Sequence, residues 1–192
     1  MKVIGLTGNI GCGKSTVAGM LRELGAAHID ADAVIREIRQ NDAEARAAIQ
    51  RRFGTLDAAT LGRIVFHDVA ALRDLEAILH PPYRDEVRAR LAELAEADVP
   101  VAVVEAIKLL ESPLHDACDE TWVVTCEEAD AIARLAASRH LSEAEARARM
   151  ANQSPQSVKV AAADVVIDGS APLSETRRQV RAAYEALLRR KA

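Results

Sequence analysis

Residues 8–15 read Gly8-Asn9-Ile10-Gly11-Cys12-Gly13-Lys14-Ser15, a glycine-rich turn closed by a cation and a hydroxyl. Val3-Ile4-Gly5-Leu6-Thr7 precedes it as a short apolar run that reads as a buried strand. After it, Val17, Met20, Leu21 and Leu24 repeat at the spacing of one helix face. Strand, G-x-x-x-x-G-K-S and helix in this order give the context that a phosphate-binding loop needs. Gly8, Gly11 and Gly13 can take backbone angles closed to other residues, so successive N–H groups can turn inward around phosphate oxygens. The positive end of the following helix points at the same oxygens. Lys14 reaches the β- and γ-phosphates as a point charge, and the Ser15 hydroxyl is the expected protein ligand of Mg²⁺. Thr16 is either a phosphate contact or a first-turn helix residue. Cys12 reads as a small loop residue, although Lys14 and the helix N-terminus beside it can lower its pKa.

This P-loop implies a nucleotide before anything else is known, and composition narrows the rest. A chain of 192 residues with 49% apolar content suits one domain with inserted subdomains. Aromatic residues are 3% and the net charge is −4. These values argue against a stacking platform or a phosphate-backbone footprint for nucleic acid. No apolar run reaches the length of a membrane span, and Met1-Lys2-Val3 leads straight into the first strand, so no signal peptide is expected. Cys12, Cys118 and Cys126 are odd in number and lack metal-ligand spacing. They are expected to be reduced thiols in a cytoplasmic protein.

Further along, Ala26–Ile29 reads as a second strand ending in Asp30-Ala31-Asp32. A helix over 33–53, with Ile35, Ile38 and Ile49 inward, and a loop to Thr60 follow. Helices over 61–79 and 82–97 are expected, parted at His80-Pro81-Pro82, with Pro82 in the first turn of the second. A helical block this long between two strands exceeds an ordinary connection and reads as a subdomain. Val101–Val104, Thr121–Thr125 and Val165–Ile167 supply three more strands. Thr125 with Glu128, and Ser142 with Glu145, have capping-box spacing for two helices, the second ending near Ala151. The last helix starts near Ser174, with Val180, Ala183, Tyr184, Leu187 and Leu188 inward. Alternating strands and helices imply an α/β fold, a parallel five-stranded sheet flanked by helices. In such sheets, ligands bind beyond the carboxyl ends of the strands. The P-loop, the Asp30/Asp32 pair and Glu105 all belong at that edge.

Several residues there have the chemistry of phosphoryl transfer. One carboxylate of Asp30-Ala31-Asp32 can orient an acceptor hydroxyl while the other caps the next helix, or both can be caps. Arg134, Arg139, Arg147 and Arg149 lie on a segment that can close over a transferring phosphoryl group. A solvated face with pairs such as Glu143–Arg147 is the alternative. His80 and Arg84 can meet an anionic substrate, although a His-Pro at a helix junction is commonly structural. Glu105 ends a strand where P-loop proteins often carry an acidic Mg²⁺ partner acting through water. Asp168-Gly169-Ser170 is either a plain turn or a wall for a base or ribose.

Taken together these residues resemble the dephospho-coenzyme A kinase family over nearly the whole chain. The opening segment 4–16, Leu24-Gly25, Ile29-Asp30-Ala31-Asp32, Arg63-Ile64-Val65-Phe66, Leu75-Glu76 with His80-Pro81, and Arg134-Leu135 with Arg139 carry the resemblance. Glu143, Arg147, Met150, Gln153, Lys159, Ala163-Asp164 and Val166-Ile167-Asp168 extend it. The chain departs from the family at Asn9 and Cys12, where Gly and Ser are more usual, at Lys108 in Ala106-Ile107-Lys108-Leu109-Leu110-Glu111, and around Gly169-Ser170.

The resemblance implies a P-loop NTPase-type core (about 1–34, 98–130 and 155–192), a helical acceptor-binding subdomain (about 35–97) and a helical lid (about 131–154). It implies ATP with Mg²⁺ as cofactors and dephospho-CoA as the substrate phosphorylated on its ribose 3′-hydroxyl. Lys14, Asp32 and Arg139 fall on catalytic positions. Gly8, Gly11, Cys12, Gly13, Lys14, Ser15 and Thr16 fall on the nucleotide loop, Asp32, Arg63, His80 and Arg84 on the acceptor site, and Ser15 on the metal. No nucleic acid or membrane partner is implied, and a monomer is compatible. The alternatives are another small-molecule or nucleoside-monophosphate-type kinase, and a non-catalytic nucleotide switch or assembly ATPase. GTPases need a base-reading N-K-x-D, which the sequence lacks.

Overall fold

The computed structural model describes residues 1–190. The expected core segment runs to residue 192, and residues 191 and 192 lie outside the described residues. In chain order the elements are β1 (Lys2–Gly8), α1 (Lys14–Glu23), β2 (Ala27–Asp30), α2 (Ala31–Asn41), α3 (Ala43–Phe53), α4 (Ala58–His67) and α5 (Val69–Glu96). Then come β3 (Val101–Glu105), β4 (Glu120–Thr125), α6 (Glu128–Arg139), α7 (Glu143–Ala151), α8 (Gln156–Ala161), β5 (Val165–Asp168) and α9 (Leu173–Arg189). Two short 3₁₀ turns, Leu109–Glu111 and Pro113–Ala117, join β3 to β4. Among the described residues two compact units result, residues 1–29 with 94–190, and residues 30–93.

The first unit is built on a parallel five-stranded sheet in the order β2-β3-β1-β4-β5. β1 is central, with Ile4 opposite Val103 on one side and Glu120 on the other. All five residues of β3 are buried, as a strand covered on both faces requires. Ile4, Leu6, Val101, Val103, Trp122 and Val124 pack with Val17 and Leu21 of α1 and with Val180, Tyr184 and Leu187 of α9. Trp122 is fully buried and satisfies its indole N–H on Glu120 Oε2 at 2.9 Å. Leu188, expected inside, is half exposed, because the inward stripe of α9 runs through Val180, Tyr184 and Leu187.

The second unit is helical, and it departs from the expected helix limits in two places. Residues 33–53 are not one helix. Asp42 is extended (φ −74°, ψ 116°) and accepts from Ala45 N at 2.7 Å, ending α2 and capping α3. Conversely, the chain does not break at His80-Pro81-Pro82, and α5 runs through both prolines. The break lies at Asp68, whose carboxylate accepts from Ala70 N and Ala71 N. Leu79, Tyr83, Val87 and Leu91 form one buried stripe at four-residue spacing across the prolines. Burying four such side chains is worth about 6–12 kcal/mol, against about 3 kcal/mol for each interior proline.

Candidate functional site

The loop after β1 has the geometry its glycines predict. Gly11 (φ 82°) and Gly13 (φ 96°) lie in the left-handed region. Gly13 is also the N-cap of α1 and offers no side chain to the helix end. The opening N–H groups of α1 therefore have no side-chain cap and suit an anion. Lys14 is buried, with Nζ donating to Asn9 O at 3.4 Å, whereas Ser15 and Thr16 are exposed.

The strand order then assembles a group that no local pattern announces. β2, β3 and β1 are neighbours, so His28, Glu105 and Ser15 meet at one edge of the sheet. Ser15 Oγ donates to Glu105 Oε1 at 3.0 Å, and His28 Nε2 lies 3.0 Å from Glu105 Oε2. Burial works against ionisation of Glu105. The hydrogen bonds from His28 and Ser15 and the nearby Lys14 charge outweigh it and hold the carboxyl below its ordinary value of 4.5. A carboxyl lowered by folding stabilises the protein above its unfolded pKa, and that stability is lost as pH falls through the folded value. Urea unfolding should therefore show the advantage of wild type over Glu105→Gln shrinking steadily below pH 4.5. An advantage independent of pH there would contradict the assignment.

Oxygen donors at this spot suit Mg²⁺, which takes one or two protein groups and fills its sphere with water and substrate phosphates. Among the described residues no cluster of three metal-ligating side chains forms a self-sufficient cage.

The four arginines of the expected lid have different fates. Arg134 braces the loop, donating to Gly11 O (3.3 Å) and Gly169 O (2.6 Å). Arg147 pairs with Glu128 and Glu143, the solvated-face arrangement, and Arg149 lies near Glu145. Arg139 ends α6, exposed, with no hydrogen bond or ion pair among the described residues. The Ser142/Glu145 capping box forms. The one expected at Thr125/Glu128 does not, because Glu127 is the N-cap and its N–H donates to Ser170 Oγ at 2.8 Å.

Gly169 follows β5 so closely that a Cβ there would lie 2.2 Å from Cys12 O and 2.8 Å from Thr125 O. With Gly13, Thr16, Arg134 and Leu173 it lines a cavity of about 220 Å³. Asp168 takes the plain turn role, accepting from Ser170 N and Ala171 N.

Two further features differ from what local pattern leads one to expect, one of them at a residue that carries the resemblance. Lys159, on the unforeseen helix α8, is fully buried, and burial lowers its pKa. Its Nζ donates to Ile107 O (2.8 Å), which also accepts from Thr7 Oγ1 (3.1 Å). An unbroken stretch of Ala and Val around a single lysine was the available signal. The cysteines are not all the reduced thiols expected. Cys12 and Cys126 are joined by a disulfide with Cα atoms 5.0 Å apart, and Cys118 alone is free. The fold brings together two residues 114 positions apart, which their spacing could not announce.

The remaining expected site residues lie in or at the start of the second unit. Asp30 is the helix cap, accepting from Ala33 N at 3.0 Å. Asp32 is exposed in the first turn of α2, so the pair is not an extended D-x-D. Arg63 is exposed and donates to Thr60 Oγ1, and His80 is exposed on α5. Arg84, one turn on, has a buried Nε with no hydrogen-bond partner among the described residues.

Comparison with known proteins is consistent throughout. A family model described as dephospho-CoA kinase matches residues 2–175. The chain is 42% identical over 188 residues to a dephospho-CoA kinase of Geobacter sulfurreducens, covering 94% of this chain and 95% of that protein. It is 41% identical over 196 residues to one from Leifsonia xyli, covering 97% and 99%. A crystal structure from Thermus thermophilus superposes with a TM-score of 0.86 at 33% identity, covering 97% of each chain. A Campylobacter jejuni dephospho-CoA kinase shares the fold, with a TM-score of 0.68 at 22% identity and 97% and 98% coverage.

Proposed function

The chain belongs to the dephospho-CoA kinase family, whose reaction moves a phosphoryl group from ATP to the ribose 3′-hydroxyl of 3′-dephospho-CoA, and we propose that Lys14, Asp32 and Arg139 carry that transfer here. The supporting observation is the loop at 8–15, with its uncapped helix end beside Ser15 and Glu105. Gly8, Gly11, Cys12, Gly13, Ser15 and Thr16 hold the ATP phosphates with Lys14. The cavity beside Gly169 and Arg134 takes the base and ribose.

Ser15, and Glu105 at one remove, would hold Mg²⁺, which supplies charge neutralisation at the phosphate oxygens. Asp32 orients the 3′-hydroxyl and accepts its proton as the new O–P bond forms. The β–γ bridging bond breaks, and ADP leaves. The unit at 30–93 takes the acceptor. Arg63, His80 and Arg84 face its anionic groups, and the orphaned Nε of Arg84 is a donor that a phosphate oxygen would satisfy.

Residues 131–154 form the lid and exclude water from the reacting phosphoryl group. An ATP-consuming step of this kind suits a cytoplasmic setting, and no described helix is long and apolar enough to cross a membrane. The position of the new phosphate tests the reading. Phosphorus–proton coupling in the product should place it on the ribose 3′ carbon, and a phosphate elsewhere would refute it.

Arg139 is the lid residue with an unengaged guanidinium. Arg139→Ala should lower kcat by about 10²-fold or more, while the KM for dephospho-CoA changes little. A kcat within a few-fold of wild type would remove Arg139 from the transition state.

A further inference from the structure

The bond between Cys12 and Cys126 places a covalent link inside the nucleotide loop. Cys12 is almost fully buried, while Cys126, at the end of β4, is partly exposed. Both line an open cavity of about 590 Å³, walled further by Asn9, Arg147, Met150 and Gln156. Gln156 Oε1 accepts from Cys126 N at 3.0 Å, and Gln153 Oε1 accepts from Ile10 N at 2.9 Å. The linked loop is turned in on itself, because Asn9 O accepts both Cys12 N–H (3.2 Å) and the Lys14 ammonium (3.4 Å). Both are groups that a bound triphosphate needs turned toward its own oxygens.

We propose that Cys12 and Cys126 form a thiol–disulfide exchange site for low-molecular-weight disulfides, and that its oxidation withdraws the loop from ATP. The inference rests on the ATP-binding reading of that loop. In the exchange, the Cys126 thiolate attacks one sulfur of a small disulfide from the cavity side and expels one thiolate, leaving a mixed disulfide. The Cys12 thiolate then attacks the Cys126 sulfur and expels the second. Two protein thiols are oxidised, one small disulfide is reduced to two thiols, and the two cysteine protons pass to the departing thiolates. Cys118 does not compete, because burial and the neighbouring Asp119 push its thiol up to about 11. Reduction releases residue 12 from residue 126, so the loop can open around phosphate.

The test uses the full chain, reduced with dithiothreitol or equilibrated with glutathione disulfide. Peptide mapping should show the Cys12–Cys126 link with no retained glutathione. The KM for ATP should rise about tenfold or more in the oxidised protein, as for a binding-competent state made rare, and return on reduction. Cys126→Ser should match reduced wild type in activity and form no internal link. Absence of the link, or an unchanged KM for ATP in protein shown to be linked, would overturn the proposal. Failure of the ATP reading itself is separate, because reduced Lys14→Ala would then keep the wild-type KM for ATP.

Discussion

Asp32→Asn is expected to lower kcat by about 10²–10⁴-fold, the usual worth of a positioned general base, while ATP binds as in wild type. The transition state would lose about 3–5 kcal/mol, at roughly 1.4 kcal/mol per tenfold change in rate. The substitution keeps the size of the side chain and removes its basicity, so a loss confined to turnover isolates proton acceptance from packing. Folding should be nearly intact. Asp32 is exposed in the first turn of α2, and the cap of that helix is Asp30. Losing the interaction of its carboxylate with a helix N-terminus costs about 0.3–1 kcal/mol. Steady-state kinetics together with ATP titration distinguish the outcomes. Turnover close to wild type would remove Asp32 from the mechanism and leave the hydroxyl to be oriented by another group.

Lys14→Ala is expected to act on both binding and rate. Its ammonium is buried at the first position of α1, where the helix end and the loop amides converge. Charge there is worth far more than on the surface, because water does not screen it. The KM for ATP should rise, and kcat should fall by about 10²–10³-fold, as when a preorganised donor to a developing charge is lost. The variant should fold, since Lys14, although buried, lies outside the apolar cluster that packs the sheet. Unlike Asp32→Asn, it should lose affinity for ATP in the absence of acceptor. Retained affinity together with retained turnover would show that the loop does not hold the triphosphate.

The two residues differ in how readily they could be read from the chain. Lys14 is legible because strand, loop and helix are contiguous, so the motif carries its own structural context. The same holds for the Ser142/Glu145 cap and for the buried run Val101–Val104, where local pattern and final environment agree. Asp30 and Asp32 were separable only once α2 began at Ala31, since a helix and an extended segment direct neighbouring side chains differently.

The passage of α5 through Pro81 and Pro82 shows tertiary packing overriding a local rule. The stripe of Leu79, Tyr83, Val87 and Leu91 was present in the sequence, but the prolines outweighed it in a local reading. The Ser15–Glu105–His28 group lay beyond sequence reasoning for a different reason. Its members sit on three separate segments, and only the order β2-β3-β1 makes them neighbours. Pairing of Cys12 with Cys126 depends on β1 lying beside β4, which is likewise a property of topology. Arg134 and Arg139 share one helix, yet their roles diverge because only Arg134 reaches the Gly11 and Gly169 carbonyls.

If the phosphate loop is the donor half of a kinase site whose acceptor is dephospho-CoA, a panel of acceptors will show it. The reduced protein is incubated with ATP and Mg²⁺, and ADP release is followed with dephospho-CoA, with nucleoside monophosphates, and with no acceptor. ADP release should be rapid with dephospho-CoA, matched by CoA formed, and slow with the monophosphates or with water. Equal release with a nucleoside monophosphate, or slow hydrolysis that dephospho-CoA fails to accelerate, would contradict it.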